Sequence, residues 1–184
     1  MKKLSLALVA ALSLSTAAFA QTENPTAGSD GQIKFTGTVT EKGCTIVAGN
    51  SSNINLGSIP KAHLMKQLQG AWGTGQVKFI DCNLDIEDEK KKLKAVTITI
   101  QKGSKSDVGN NLWANDGSAK KVGIEVEIDG QKVTPDGLTD PLEAKIDPLN
   151  GTATYNVRGR MVGAETGVTA GNVETTVSFV ANYK

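Results

Sequence analysis

The residues best suited to covalent or metal chemistry are scarce in this chain: two cysteines, Cys44 and Cys82, and one histidine, His63. A structural zinc site needs about four nitrogen or sulfur ligands, so a metal site is the weaker alternative here. The cysteines do not form a Cys-x-x-Cys motif, which argues against redox catalysis. In an exported chain, a lone pair of cysteines indicates one disulfide, and we predict the bond Cys44–Cys82.

The remaining candidates for chemistry have simpler interpretations. His63 would need a serine in a frame such as Gly-x-Ser-x-Gly to act in a catalytic triad, and no such frame occurs. Asp129-Gly130 lacks the spacing of a calcium loop and is interpreted as a turn. Trp72 and Trp113 could stack on a sugar, but isolated tryptophans more often pack in cores. The sequence therefore predicts no enzymatic activity, no cofactor and no metal.

Residues 1–20 have the features of a secretory signal peptide. Lys2 and Lys3 precede an apolar run over residues 4–14, and the segment ends on Ala18-Phe19-Ala20, a small-x-small cleavage pattern. The run is too short to span a bilayer, which needs about 20 apolar residues. We expect residues 1–20 to be removed during export.

The charge balance argues against a nucleic acid or an anionic membrane as partner. Without Lys2 and Lys3, 18 basic residues face 19 acidic ones. Such partners usually require a basic excess or a basic stripe, and the sequence shows neither.

Alternating apolar and polar residues recur with the period of two that β-strands require. The short runs cover residues 33–40, 54–56, 77–79, 96–100, 124–128 and 155–157. The longest run places six residues on one face: Val173, Thr175, Val177, Phe179, Ala181 and Tyr183. Short strands rich in Val, Ile and Thr and bounded by turn residues predict an antiparallel β-sandwich. Only residues 61–69, with Leu64 and Leu68 four apart, predict a short helix after Pro60.

The start of the mature chain combines two unlike segments. Residues 21–30 are polar or small and cannot bury apolar surface. They lead into an alternating strand in which Ile33, Phe35, Gly37 and Val39 share one face.

Four segments in this order resemble chaperone–usher fimbrial subunits of the type 1-like pilin family. Residues 31–46 resemble the family's amino-terminal strand, with an internal glycine before the first cysteine. Residues 77–82 resemble the strand that carries the second cysteine, and residues 122–130 resemble a mid-chain hairpin. The carboxyl end is the most specific match, because Gly171 is fourteenth from the end and an alternating strand joins it to the penultimate Tyr183.

The resemblance implies an all-β fold: an incomplete immunoglobulin-like antiparallel β-sandwich, completed by a donor strand from another subunit. It divides the chain into a signal peptide (1–20), an amino-terminal extension with the donor strand (21–42) and a pilin domain (43–184). The implied donor residues are Gly31, Ile33, Phe35, Gly37 and Val39. The implied edge that meets the chaperone or a neighbouring subunit contains Gly171, Val173, Val177, Phe179 and Tyr183.

The same resemblance implies a function and a location. The chain would be a structural subunit that polymerises by donor-strand exchange and supports cell adhesion, most simply as a shaft subunit in a homopolymer. Its partners would be a periplasmic chaperone, an outer-membrane usher and neighbouring subunits, with a host receptor possible for the whole fibre. It would pass through the periplasm and end outside the cell. The alternative is a minor adaptor or tip adhesin that binds a carbohydrate or protein receptor.

Overall fold

The computed structural model describes residues 43–47, 53–84, 86–88, 90–138 and 140–184. The predicted signal peptide, extension and donor residues Gly31, Ile33, Phe35, Gly37 and Val39 lie outside this part of the chain. Within the described ranges, no helix has the length and apolar character needed to cross a membrane.

The described chain forms two antiparallel sheets and one short helix. Its elements are β1 (Thr45–Val47), α1 (Lys61–Gln67), β2 (Gly73–Ile80), β3 (Ala95–Ile100), β4 (Trp113–Ala114), β5 (Val122–Ile128), β6 (Gln131–Val133), β7 (Leu142–Lys145), β8 (Ala153–Gly163) and β9 (Phe179–Tyr183). The first sheet has the order β1-β2-β8-β5-β4, with β6 paired to β5, and the second has the order β7-β3-β9. This architecture confirms the prediction of an all-β antiparallel fold.

Most of the predicted elements lie where the sequence pattern indicated. The alternating runs at 77–79, 96–100, 124–128 and 155–157 fall within β2, β3, β5 and β8, and α1 is the predicted helix. Residues 54–56 are not a strand, which corrects the prediction. The backbone N–H of Gly57 donates to the Oδ1 atom of Asn55 at 2.8 Å, and Gly57 has φ +74°. This side-chain turn bends the backbone where a strand would have to continue.

The two sheets enclose one main apolar core, and a tyrosine hydroxyl ties them together. Tyr155 on β8 is fully buried, and its ring meets Phe79 edge-on at 6.0 Å between centroids. Its hydroxyl donates to the carbonyl of Val96 on β3 at 2.6 Å and accepts from the N–H of Ala144 on β7 at 3.1 Å. A buried hydroxyl needs such partners, so this one fixes the spacing of the two sheets.

We expect the hydroxyl of Tyr155 to lose its proton at a far higher pH than the hydroxyl of an ordinary tyrosine. Burial raises the pKa of Tyr155 to about 12. The unfolded chain releases this proton near pH 10, so folding stability should be present below pH 10 and fall as the pH rises towards 12, by about 1.4 kcal/mol per pH unit. The chain has two tyrosines. In a Tyr183→Phe variant, the tyrosinate absorbance therefore reports Tyr155 alone.

The matched control is Tyr155→Phe, in which Tyr183 remains. Its stability should lose the decline between pH 10 and 12. A Tyr183→Phe protein that titrates near pH 10 while its circular dichroism stays native would contradict the buried hydroxyl.

Candidate functional site

The last strand is an edge strand whose free side is defined by its register. In the described chain, β9 pairs with β3 alone. Lys184 and Ala95 exchange both backbone hydrogen bonds, and the N–H of Gln101 donates to the carbonyl of Ser178 at 2.9 Å. Bonded and non-bonded pairs alternate in an antiparallel ladder, so the even-numbered residues direct their backbone groups to β3. The backbone N–H and C=O groups of Phe179, Ala181 and Tyr183 therefore point away from β3.

In the residues just before β9, the backbone groups of even-numbered and odd-numbered residues also point to opposite sides. These residues do not form a continuous ladder with a neighbouring strand. The sequence predicted one long strand over 173–183, whereas β9 covers only Phe179–Tyr183. Upstream, Asp116 donates its N–H to Glu174, and Ala119 donates to Asn172. No described residue bonds to the backbone of the odd-numbered residues from 173 to 183. Such a row of unpaired N–H and C=O groups is a template for another strand.

The apolar face of this edge is incompletely covered. Residues 173–183 alternate strictly, with the odd-numbered side chains half-buried and the even-numbered ones exposed. Val173, Val177, Phe179 and Tyr183 all pack against the main core. They nevertheless remain more exposed than residues of the neighbouring β3, where Val96 is 0% exposed. An apolar strand added beside this edge would remove these side chains from water, which is favourable in proportion to the area covered.

Gly171 begins this edge for a steric reason. A Cβ atom at this position would lie 2.5 Å from the backbone nitrogen of Ala119 and 2.6 Å from the Oγ atom of Ser118. The close approach keeps Gly171 against the loop before β5, and the edge starts there. The structure thus places Gly171, Val173, Val177, Phe179 and Tyr183 along one edge, and their role in contacting a chaperone or a neighbouring subunit stays a prediction.

The disulfide closes the end of the sandwich at which β9 finishes. Cys44 and Cys82 are bonded, with sulfur atoms 2.02 Å apart, which confirms the predicted pairing. The hydroxyl of Tyr183 donates to the carbonyl of Cys44 at 3.3 Å. A Cβ atom at Gly43 would lie 2.8 Å from the ring of Tyr183. The chain that precedes Gly43 is therefore attached at this disulfide end.

The opposite end of the edge opens into a surface groove, which we call the far rim. It has a volume of about 680 Å³ and lies between residues 53–61 on one side and 168–173 on the other, with Leu64 and Met161 at its base. Residues 172–184 are extended between the two ends, so the disulfide end and the far rim are about 40 Å apart at 3.3 Å per residue.

The other sequence candidates do not form a catalytic or metal site. His63 is exposed on α1. Trp113 is 2% exposed and its Nε1–H donates to the carbonyl of Val133, so it is a packing residue. Trp72 lies against the guanidinium groups of Arg158 and Arg160 at 4.4 and 4.3 Å. Among the described residues, no group of three or more His, Cys, Asp or Glu could hold a metal ion.

A charged ladder on the outer face of the first sheet was not predicted from the sequence. Arg160 donates to Glu125 at 2.6 Å, and Arg158 donates to Glu127 at 2.7 Å, although both carboxylates are buried. Burial alone would raise the pKa of Glu125, but Lys132 and Arg160 outweigh it and hold that pKa below its ordinary value. The signal was the matching Glu-x-Glu and Arg-x-Arg spacing, which places opposite charges across neighbouring strands.

The comparisons with known proteins agree with this geometry. A family model described as "Fimbrial protein" matches residues 33–184. The chain is 26% identical to the type-1 fimbrial protein, A chain, of Escherichia coli, over 100% of this chain and 98% of that protein.

Two solved structures share the fold. One is of a chaperone–usher pilus, with 17% identity, a TM-score of 0.58, and coverage of 85% of this chain and 96% of the other. The second is the P pilus rod subunit PapA, with 15% identity, a TM-score of 0.56, and coverage of 77% and 99%. The resemblance found in the sequence is therefore confirmed, and the chain belongs to the fimbrial protein family, which consists of structural subunits and not enzymes.

Proposed function

We propose that this chain is a structural subunit of a chaperone–usher fimbria, that it polymerises by donor-strand exchange, and that it builds the shaft. The observation that carries the proposal is the open edge over residues 173–183. Among the described residues, none bonds to the outer backbone groups of its odd-numbered residues, and the apolar side chains at these positions are only half-buried. A strand added from another chain would bond to these backbone groups and would also cover these side chains.

The donor is the alternating strand before Cys44. Ile33, Phe35 and Val39 insert beside the open edge of the next subunit, and Gly37 occupies a shallow position. At about 1.5–3 kcal/mol for each large side chain buried, three of them contribute about 5–9 kcal/mol before entropy costs. A slip of one residue would turn Lys34 and Thr36 inwards, so the pattern also sets the register.

The exposed edge also explains the need for assembly partners. An open apolar edge strand is prone to pair with any other chain. A periplasmic chaperone covers it first, and an outer-membrane usher then exchanges that cover for the donor strand of the next subunit. In this scheme residues 1–20 direct export and are removed, and the finished fibre lies outside the cell and supports adhesion.

A shaft role has support beyond the edge itself. The similarity to the type-1 fimbrial protein, A chain, extends over both chains almost entirely. The fold neighbours include the rod subunit of the P pilus. A chain that carries both a donor strand and an open edge can repeat without limit, which a shaft requires.

The test is deletion of the donor segment. The mature chain is co-expressed with its cognate chaperone and usher, with and without residues 21–40, and unheated samples are run on denaturing gels. We expect the intact chain to give a ladder of multimers that heating removes. The chain without residues 21–40 should give none.

The matched control deletes residues 21–30 only and keeps the alternating strand, so it should retain the ladder. The proposal fails if the intact chain gives no ladder and the chain without residues 21–40 folds alone as a stable monomer. In that case the sandwich needs no strand from a neighbour.

A further inference from the structure

We infer that Leu84 and Leu149, at the disulfide end of one subunit, pack against the far rim of the next subunit. The partner is a second copy of this chain, and the inference rests on the donor-strand function proposed above. It assigns a contact surface between the bodies of successive subunits, in addition to the donor strand.

The two leucines are unusually exposed. Leu149 is 95% exposed and Leu84 is 77% exposed, and both line one open groove beside Cys82. Leu149 is held in a tight turn, because its N–H donates to Asp147 Oδ1 at 2.9 Å and Gly151 donates its N–H to the carbonyl of Asp147 at 2.8 Å. The turn therefore presents Leu149 to solvent from an ordered backbone, beside the same groove that Leu84 lines.

The short connection to the donor strand brings another subunit to this end. Val39 is the last donor residue, and Cys44 is anchored by its disulfide to Cys82. Four residues separate them, so the two Cα atoms are five steps along the chain and at most about 18 Å apart. The acceptor's open edge, residues 173–183, is about 33 Å long at 3.3 Å per residue. Val39 reaches one end of the acceptor's edge. The disulfide end of the donor subunit must therefore lie against that end.

The orientation of the donor selects the far rim. Every strand pair in the two described sheets is antiparallel, and antiparallel pairing is the more stable kind per residue. An antiparallel donor directs Val39 towards the start of the acceptor's edge, near Val173. The rim there offers the half-buried side chains of Ile54 and Ile59, which suit contact with leucine. Successive subunits then stack with the disulfide end of one on the far rim of the next.

A cysteine pair tests this contact in assembled fibres. The variant carries Leu149→Cys at the disulfide end and Ser58→Cys on the exposed far rim, and fibres sheared from producing cells are treated with a short bismaleimide. The two sites of one subunit are too far apart to be linked. We expect a covalent ladder that survives both heating and reduction, and neither single variant should give it.

A second measurement uses the mild single variant Leu149→Cys. Maleimide labelling of this thiol should be at least about tenfold slower in the fibre than in the chaperone-bound monomer, since a buried side chain reacts only when the contact opens. Equal labelling rates in fibre and monomer would overturn the inference.

The outcomes separate the contact from the donor function. A heat-sensitive ladder without a covalent one overturns the contact and leaves the donor function standing. A covalent dimer from Leu149→Cys alone would mean that two disulfide ends meet, which overturns the stacking. Absence of the heat-sensitive ladder from the unmodified chain removes the proposed function, and the contact with it.

Discussion

The double substitution Cys44→Ser and Cys82→Ser is expected to lower the free energy of unfolding by about 4 kcal/mol under oxidising conditions. The disulfide closes a loop with a sequence separation of 38 residues, and the chain-entropy model gives this value for a loop of that length. The loop includes the three-residue β1, which bonds only to β2 in the described part of the chain. Urea unfolding of the chaperone-bound monomer measures the loss.

The reduced wild-type chain is the matched control for this experiment. A reductant should bring the wild type to the unfolding midpoint of the double variant and should leave the variant unchanged. The hydroxyl of Tyr183 bonds to the carbonyl of Cys44, so the environment of Tyr183 should change as well. Equal midpoints for the oxidised wild type and the double variant would show that the disulfide contributes nothing to stability.

Periodicity predicted strands well wherever a strand has one apolar face, and less completely where both faces are buried. The alternation in β5 predicted its position, but it did not predict the surroundings of its two polar residues, Glu125 and Glu127. Both are buried, because Arg160 and Arg158 on β8 pair with them across the sheet. A single strand's pattern does not contain its partner's charges, so this burial could be found only by pairing the two strands.

The two wrong strand boundaries also have local causes. Residues 54–56 alternate like a strand, but the side chain of Asn55 bonds to the backbone of Gly57 and turns the chain. Residues 173–178 alternate as well, yet the backbone partners of residues 172–178 are scattered over Gln101, Asp116 and Ala119 and form no continuous ladder. Alternation reports which side chains face the core, and it does not report whether a neighbouring strand runs alongside.

The open edge itself could not be derived from periodicity. The alternation predicted that Val173, Val177, Phe179 and Tyr183 share a face, and the structure confirms it. That their backbone groups point away from β3 depends on the register of β9 against β3, which is a long-range property. Before the structure, the expectation of an open edge came only from the resemblance to fimbrial subunits.

The substitution Phe35→Asp is expected to abolish the heat-sensitive multimers, whereas Thr36→Asp should leave them. In a strand, neighbouring residues point to opposite faces, so in the proposed donor Phe35 enters the acceptor's core and Thr36 faces water. Loss of the Phe35 side chain removes about 1.5–3 kcal/mol of burial, and an unpaired buried carboxylate costs several kcal/mol more. The lost burial and the cost of the buried carboxylate are together about as large as the roughly 5–9 kcal/mol that three inserted side chains supply. Unheated denaturing gels of sheared fibres measure the result.

The same pair of variants distinguishes a donated strand from an ordinary one. If residues 31–40 enter another subunit, each variant's chaperone-bound monomer should unfold at the wild-type urea concentration, because the donor strand contributes nothing to its own sandwich. If the residues were a strand of their own domain, Phe35→Asp would instead destabilise the monomer, and Thr36→Asp would not. Loss of multimers without loss of monomer stability can arise only when the alternating strand acts between copies.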